Sequence, residues 1–201
     1  EMLRSLVGSE MCIRDSIYAM LREVAAQGVA LVIVSSDFEE LLGLADRVVV
    51  ISDGRSIADV PSAMLDEEKL TLLAAPRTSM ARNTELLQDL ARQHGGAGFW
   101  ALMEDDSLIC LNAVVENANA DPGFRSGEAR RFAQTHIPSA LARREAGFVT
   151  DTASGRATLL TQMRSARGHD FGWVGISLPD GVPLPAPETI RSHIDAMAKT
   201  L

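Results

Sequence analysis

Residues 17–59 read IYAMLREVAAQGVALVIVSSDFEELLGLADRVVVISDGRSIAD, and this stretch decides how the first part of the chain is expected to fold. Ile17, Met20, Leu21 and Val24 recur at helical spacing and form one apolar stripe. Gly28 follows, where a helix can close through a left-handed residue. Ala30–Val34 is a short continuous apolar run, the mark of a strand covered on both faces. Ser36 with Glu39 makes a capping box for a helix through Leu44. Asp46–Ser52 and Arg55–Val60 flank Asp53-Gly54, a hairpin signal because both turn residues tolerate positive φ. Helix, buried strand, helix and hairpin predict part of an α/β unit with a mostly parallel sheet.

The wording VIVSSDFEELLGLADRVVVISDGR resembles the closing segment of the ATP-binding cassette of bacterial sugar importers, specifically the second cassette of the ribose and simple-sugar type. The resemblance covers residues 17–75 and implies a fragment of an α/β cassette with a parallel sheet. It also implies ATP and Mg²⁺ as cofactors of the full-length parent, and none for this segment alone. Membrane permease subunits would be the partner, and the location cytoplasmic, peripheral to the inner membrane. The family's switch histidine, which senses the γ-phosphate, aligns with Ser36. Serine can hydrogen-bond to phosphate but carries no positive charge. A helix N-cap is the plainer role for Ser36. The chain has no G-x-x-x-x-G-K-S/T loop, no LSGG signature and no acidic strand after it, so by itself it should not hydrolyse ATP.

Residues 1–16, EMLRSLVGSEMCIRDS, resemble a translated sequencing adapter and are expected to be non-native. They contain no apolar core long enough for a signal peptide or membrane helix. Setting them aside leaves Cys110 as the one plausible native cysteine, so no disulfide framework is expected. The net charge of −8 argues against nucleic-acid binding. The charge is uneven. Residues 17–75 carry four Lys/Arg and ten Asp/Glu, or −6; residues 76–201 carry thirteen and fourteen, or −1. The acidic first part reads as a solvated face.

A boundary is expected near Ala75. Leu65–Ala74 reads as the last helix of the cassette segment, with Asp66, Glu67 and Glu68 at its positive end. Residues 76–83 carry Pro76 and small polar residues, a linker by composition. Residues 84–201 read as an α+β domain. Helices are expected at Thr84–Gln93, within Arg130–Glu145 with a break near Pro138, at Arg156–Arg167 and at Glu188–Leu201. Strands are expected at Gly98–Glu104, Ser107–Glu116, Phe148–Thr152 and Phe171–Leu178.

This order resembles a GAF-like sensor domain, carried by LLQDLARQHGGAGFWALMEDD and EAGFVTDTASGRATLLTQMRSARGHDFGWVGISLPDG. Such domains bind small molecules between the sheet and its covering helices. On that resemblance Trp100, Phe148, Asp151, Met163 and Trp173 are ligand-binding candidates; the plain alternative is that the aromatics and Met are core. His94, His136, His169 and His193 show no metal-ligand spacing; His169-Asp170 could be called a catalytic pair, but adjacent side chains seldom point at one another. Arg130-Arg131 and Arg143-Arg144 read as exposed helix positions balanced by Glu128 and Glu145.

The expected whole is a sugar-importer ATPase fragment bearing a small-molecule-sensing regulatory domain. Two other classes remain open: a stand-alone ligand-binding sensor, or a structural module that docks the permease without catalysis.

Overall fold

In the computed structural model, residues 3–52, 54–74, 77–164 and 170–198 are described, with side chains at 13–52, 54–74, 81–164 and 170–195. Helix α1, Leu3–Ala26, is longer than its stripe at 17–24 required. It closes at Gly28, φ +85°, whose N–H donates to Ala25 O at 2.9 Å. The strand expected at Ala30–Val34 does not form, and Val32 and Val34 are 92% and 94% exposed. A strand needs neighbours to take its N–H and C=O groups, and none of the described strands lies beside it.

Helix α2, Phe38–Leu44, starts one residue later than the expected cap allows. Its N-cap is Asp37, whose carboxylate accepts from Glu40 N–H at 3.1 Å. Ser36 is an exposed bend residue and forms no capping box. The neighbours decide this. Asp37 N–H donates to Ser35 Oγ at 3.1 Å, and Ser35 Oγ bonds the Glu40 carboxylate. Tyr18 OH donates to the other Glu40 oxygen at 2.7 Å, tying α1 to α2. These two hydroxyls hold the Glu40 carboxyl below its ordinary pKa.

Strands β1, Arg47–Ser52, and β2, Arg55–Pro61, form the expected antiparallel hairpin. Asp53 of the turn lies outside the described residues. A 3-10 turn at Ser62–Met64 leads to α3, Glu67–Leu73, capped by Asp66, which accepts from Lys69 N–H at 2.8 Å. No parallel sheet forms in this segment among the described residues; its sheet is the two-stranded hairpin. Helix α4, Arg77–His94, begins seven residues before Thr84 and takes in most of the stretch expected as a linker.

The rest is a six-stranded antiparallel sheet with helices on both faces, a mixed α/β architecture. Its strands are β3, Ala97–Glu104; β4, Ser107–Val115; β5, Ala129–Arg131; β6, Val149–Thr150; β7, Ala157–Arg164; and β8, Asp170–Leu178. Their order is β5-β4-β3-β8-β7-β6. Two expectations fail here. The helix at Arg156–Arg167 is instead β7, hydrogen-bonded along its length to β8; residues 165–169, including His169, lie outside the described residues. Leu159, Leu160 and Met163 fit a helical stripe, but the two strands flanking β7 take its backbone groups. In Arg130–Glu145, a strand and a 3-10 turn precede helix α5, Pro138–Arg143. Pro138 starts this helix rather than breaking it, since the first helical position needs no N–H. Helix α6, Pro187–Ala198, closes the described chain and matches the helix expected from Glu188.

Period-two alternation gives the sheet two apolar faces. One packs against α4 and α6 through Leu87, Leu90, Ile190 and Ile194, over Trp100, Leu111, Leu159 and Ile176. The other packs against α5 and its flanking loops through Phe124, Phe132, Ile137 and Leu141, over Phe99, Cys110 and Leu160. Phe99 and Phe124 meet edge to face, 5.1 Å between centroids at 88°.

The first segment shares the core on the α4–α6 face. Ala58 and Val60 of β2 and Leu73 of α3 lie in one cluster with Trp100, Leu102 and Ile109. A parallel bridge links Asp59 to Glu128, and Asp59 N–H donates to Gly127 O at 3.2 Å. This approach requires glycine. At Gly127, φ is +80°, and an added Cβ would collide with the Ile57 carbonyl oxygen.

Gly127→Ala should therefore destabilise the chain by about 2 kcal/mol or more, from left-handed strain plus the collision. Gly54→Ala has φ +72° but open space, so it should cost about 1 kcal/mol. Urea unfolding of both variants checks the ranking.

Asp66 and Asp121 give an acid limb. Burial pushes the Asp66 carboxyl up, but the Lys69 N–H and ammonium outweigh it and hold the pKa below 3.8. For Asp121 the Arg125 guanidinium, at 2.6 Å, holds it below the same value. A depressed folded pKa gives stability that is complete above the unfolded value and lost as pH falls through the folded one. The stability gap between the chain and Asp121→Asn should stay level from neutrality to about pH 4 and shrink below it. Thermal melts across that range are the measurement.

Candidate functional site

The chain leaves β6 through a tight loop at residues 151–156. Asp151 N–H donates to Arg156 O at 2.9 Å, and Ser154 and Gly155 N–H donate back to Asp151 O at 3.2 and 2.8 Å. Val149 and Leu160 both belong to the cluster under α5, so alternation puts Thr158 on that same face. Ser177 of β8 stands directly opposite Thr158. Asp151 reaches the same layer: its Oδ1 accepts from Ser139 N–H, in the first turn of α5, at 2.8 Å.

These side chains are almost wholly enclosed. Asp151 is 2% exposed, Thr158 1% and Ser177 0%. Asp151 Oδ2, Thr158 Oγ1 and Ser177 Oγ have no hydrogen-bond partner, and neither does Arg156 Nε at the loop's end. A buried polar group without a partner costs about 1–3 kcal/mol. One edge of the α5 face thus gathers a carboxylate oxygen that accepts, a guanidinium N–H that donates and two hydroxyls that do both. Each of these groups keeps hydrogen-bonding capacity that the surrounding protein leaves unused.

The five residues expected to bind ligand do not all converge. Asp151 stands in this polar line, and Trp173 packs half-buried against the α5-face cluster. Trp100 and Met163 lie on the opposite face, with α4 and α6. Trp100 is satisfied there, its Nε1–H donating to Phe171 O at 2.5 Å. Phe148 also packs against the α4–α6 cluster. Ser36 is exposed, one residue before the N-cap of α2. Thr158, Ser177 and Arg156 were missed. Their signal was period-two placement beside Asp151, visible only once residues 157–164 are read as a strand.

A second feature is an open cleft of about 200 Å³ beneath the β3–β4 turn. Met64, Leu102, Leu108 and Ile109 line its floor, and Lys69 and Glu104–Ser107 its rim. Lys69 pairs with Glu104, and with Asp66 at 3.0 Å. Burial pulls the Lys69 pKa down, but the hydrogen bonds to Glu104 and Asp66 outweigh it and hold it above the ordinary lysine value. Elsewhere, burial pushes the Cys110 thiol far up, so it is no nucleophile near neutrality. Burial, and then the nearby His193, pull the His94 pKa down. Among the described residues no group of three or more His, Cys, Asp or Glu is placed to hold a metal, and no described helix is long and apolar enough to cross a membrane.

No family model matches the chain. Part of it is similar to ATP-binding proteins of sugar importers. The arabinose import ATP-binding protein of Rhizobium meliloti is 36% identical over 77 residues, 38% of this chain and 15% of that protein. A ribose import ATP-binding protein of Agrobacterium fabrum is 38% identical over 68 residues, 34% of this chain and 13% of that protein. The chain thus spans about 15% of the length of the curated relatives it matches. Among solved structures, a GAF domain of DevS from Mycobacterium smegmatis is similar at TM-score 0.41 and 12% identity, covering 61% of this chain and 88% of that one. A putative IclR transcriptional regulator from Silicibacter is similar at TM-score 0.44 and 14% identity, covering 81% and 78%.

Thr158→Val keeps the side-chain shape and removes an unpartnered hydroxyl. It should raise the stability of the ligand-free chain by about 1 kcal/mol, since the buried desolvation cost disappears. Asp151→Ala should lower it by about 1–2 kcal/mol, because Ser139 N–H loses its acceptor. Denaturant midpoints of the two variants should move in opposite directions.

Proposed function

We propose that this chain joins the closing part of a sugar importer's ATP-binding subunit to a domain that senses a small polar molecule. The observation that carries the first half is the local identity to arabinose and ribose import ATP-binding proteins. In the whole protein, ATP and Mg²⁺ would be bound by residues that the G-x-x-x-x-G-K-S/T pattern normally supplies, and this chain has no such pattern. Ser36 would contact the nucleotide from its exposed place before α2. Permease subunits in the inner membrane would be the partner, with the ATPase peripheral to them.

The second half rests on the line Asp151, Arg156, Thr158 and Ser177. Proteins keep uncompensated buried polar atoms where function requires them. A ligand that pairs them would bind the α5-docked form and shift the balance of states toward it. The shared core favours one coupled unit over a stand-alone sensor. Val60 and Leu73 of the first segment are 0% and 3% exposed, and cutting before α4 would strip them from Trp100 and Leu102.

Two measurements test this. The genomic reading frame upstream of Ile17 should continue into a cassette with a phosphate-binding loop; a continuous frame without one removes the importer half. A thermal-shift screen of the full chain against sugars and polar metabolites should find a compound that raises the melting temperature. That gain should be lost in Ser177→Ala, and a screen without any such compound removes the sensing half.

A further inference from the structure

We propose that α5 is a lever linking the buried polar line to α3 of the first segment through the β3–β4 turn. Both ends of α5 are tied. At its start, Ser139 N–H donates to Asp151 Oδ1 at 2.8 Å, so the helix is seated on a polar-line residue. At its end, Arg144 caps the helix in the left-handed conformation, φ 50° and ψ 32°. Its Nη2 donates to Asp105 O at 2.8 Å, and its guanidinium lies 5.3 Å over the Phe132 ring. Phe132 N–H donates to the next turn residue, Asp106 O, at 2.7 Å.

The same turn is gripped from the other face of the sheet. Glu104 pairs with Lys69 of α3, and Lys69 is held in turn by Asp66, the residue that caps α3. One four-residue turn is therefore fastened to α5 and Phe132 on one side and to α3 on the other. A cleft of about 200 Å³ lies beside the turn, lined by Lys69 and by residues 104–107.

The moving element is identifiable. A six-residue helix is not stable by itself, so α5 holds its place through its end ties and the burial of Ala140 and Leu141. Loosening the Asp151 end frees Arg144 to release Asp105, and the turn then frees Lys69. Because coupling is reciprocal, a change at Lys69 must also be felt at α5. Its purpose rests on the sensing reading above, but its existence does not, since no ligand is needed to detect it.

Hydrogen exchange with mass spectrometry on the full chain is the test. Lys69→Met keeps the aliphatic stem and removes the ammonium. It should speed amide exchange in residues 138–143 by about twofold, although it touches no residue there. In an Arg144→Leu background, Lys69→Met should add nothing further at α5. If Lys69→Met does not fold, Lys69→Gln carries the same expectation. Ile190→Val, buried in α6, is the control for a general loss of stability and should leave the α5 rates unchanged relative to the rest of the sheet. Changes confined to residues 66–73 and the β3–β4 turn overturn the lever. That result would leave the sensing reading standing, whereas a failed ligand screen with the coupling present would remove sensing alone.

Discussion

Everything in this fold depends on one requirement: the α4–α6 face of the six-stranded sheet must be kept from water along its whole width. Helices α4 and α6 cover its middle and one side. The rest, around Trp100, Leu102 and Ile109, is covered by β2 and α3 of the first segment. Burying a side chain the size of Val60 or Leu73 contributes about 1.5–3 kcal/mol, and net stabilities are only about 5–15 kcal/mol. Two such residues are a large share of the whole. The contact is also specific, because β2 approaches β5 so closely that only a glycine fits at position 127. Packing of this kind turns two segments of different sequence character into one body.

Much of this was legible in the residues, and the failures have physical causes. The hairpin at 47–61, α3, β3, β4, β8 and α6 follow from alternation, caps and turn residues that agree with one another. Residues 157–164 carry Leu159, Leu160 and Met163 at spacings that serve a helix or a strand, and only the presence of β8 beside them settles the matter. The shift from Ser36 to Asp37 as helix cap is of another kind. Both residue types cap well, and Ser35 tips the balance by holding Asp37 N–H and Glu40 together. The apolar run 30–34 predicts burial, yet a strand forms only beside another strand, and none of the described strands lies next to it.

The site was less legible than the fold because residue type alone is a poor guide to it. Aromatics and methionine were expected at a ligand site and were found on both faces of the sheet, mostly as core. The polar line consists of an aspartate, an arginine and two hydroxyls that would pass unnoticed in any surface strand. Their meaning comes from burial without a partner, which is a property of the three-dimensional neighbourhood. Asp151 was named on the resemblance to a GAF-like domain; the pairing of Thr158 with Ser177 becomes visible only through the β7–β8 register.

The same logic applies to the first segment's other side. Strand β1 reads RVVVIS and is apolar on both faces. Val48 points inward and is 5% exposed, while Val49 and Ile51 are 51% and 69% exposed. They lie in a segment that also exposes Val32 and Val34. A strand apolar on both faces is the pattern of a sheet covered by two layers. Here the six-stranded sheet and α3 supply one layer, on the side where Val60 is sealed. The hairpin is therefore two-sided: its inner residues, Val48 and Val60, are sealed against the domain it covers, and its outer residues, Val49 and Ile51, stay open to solvent.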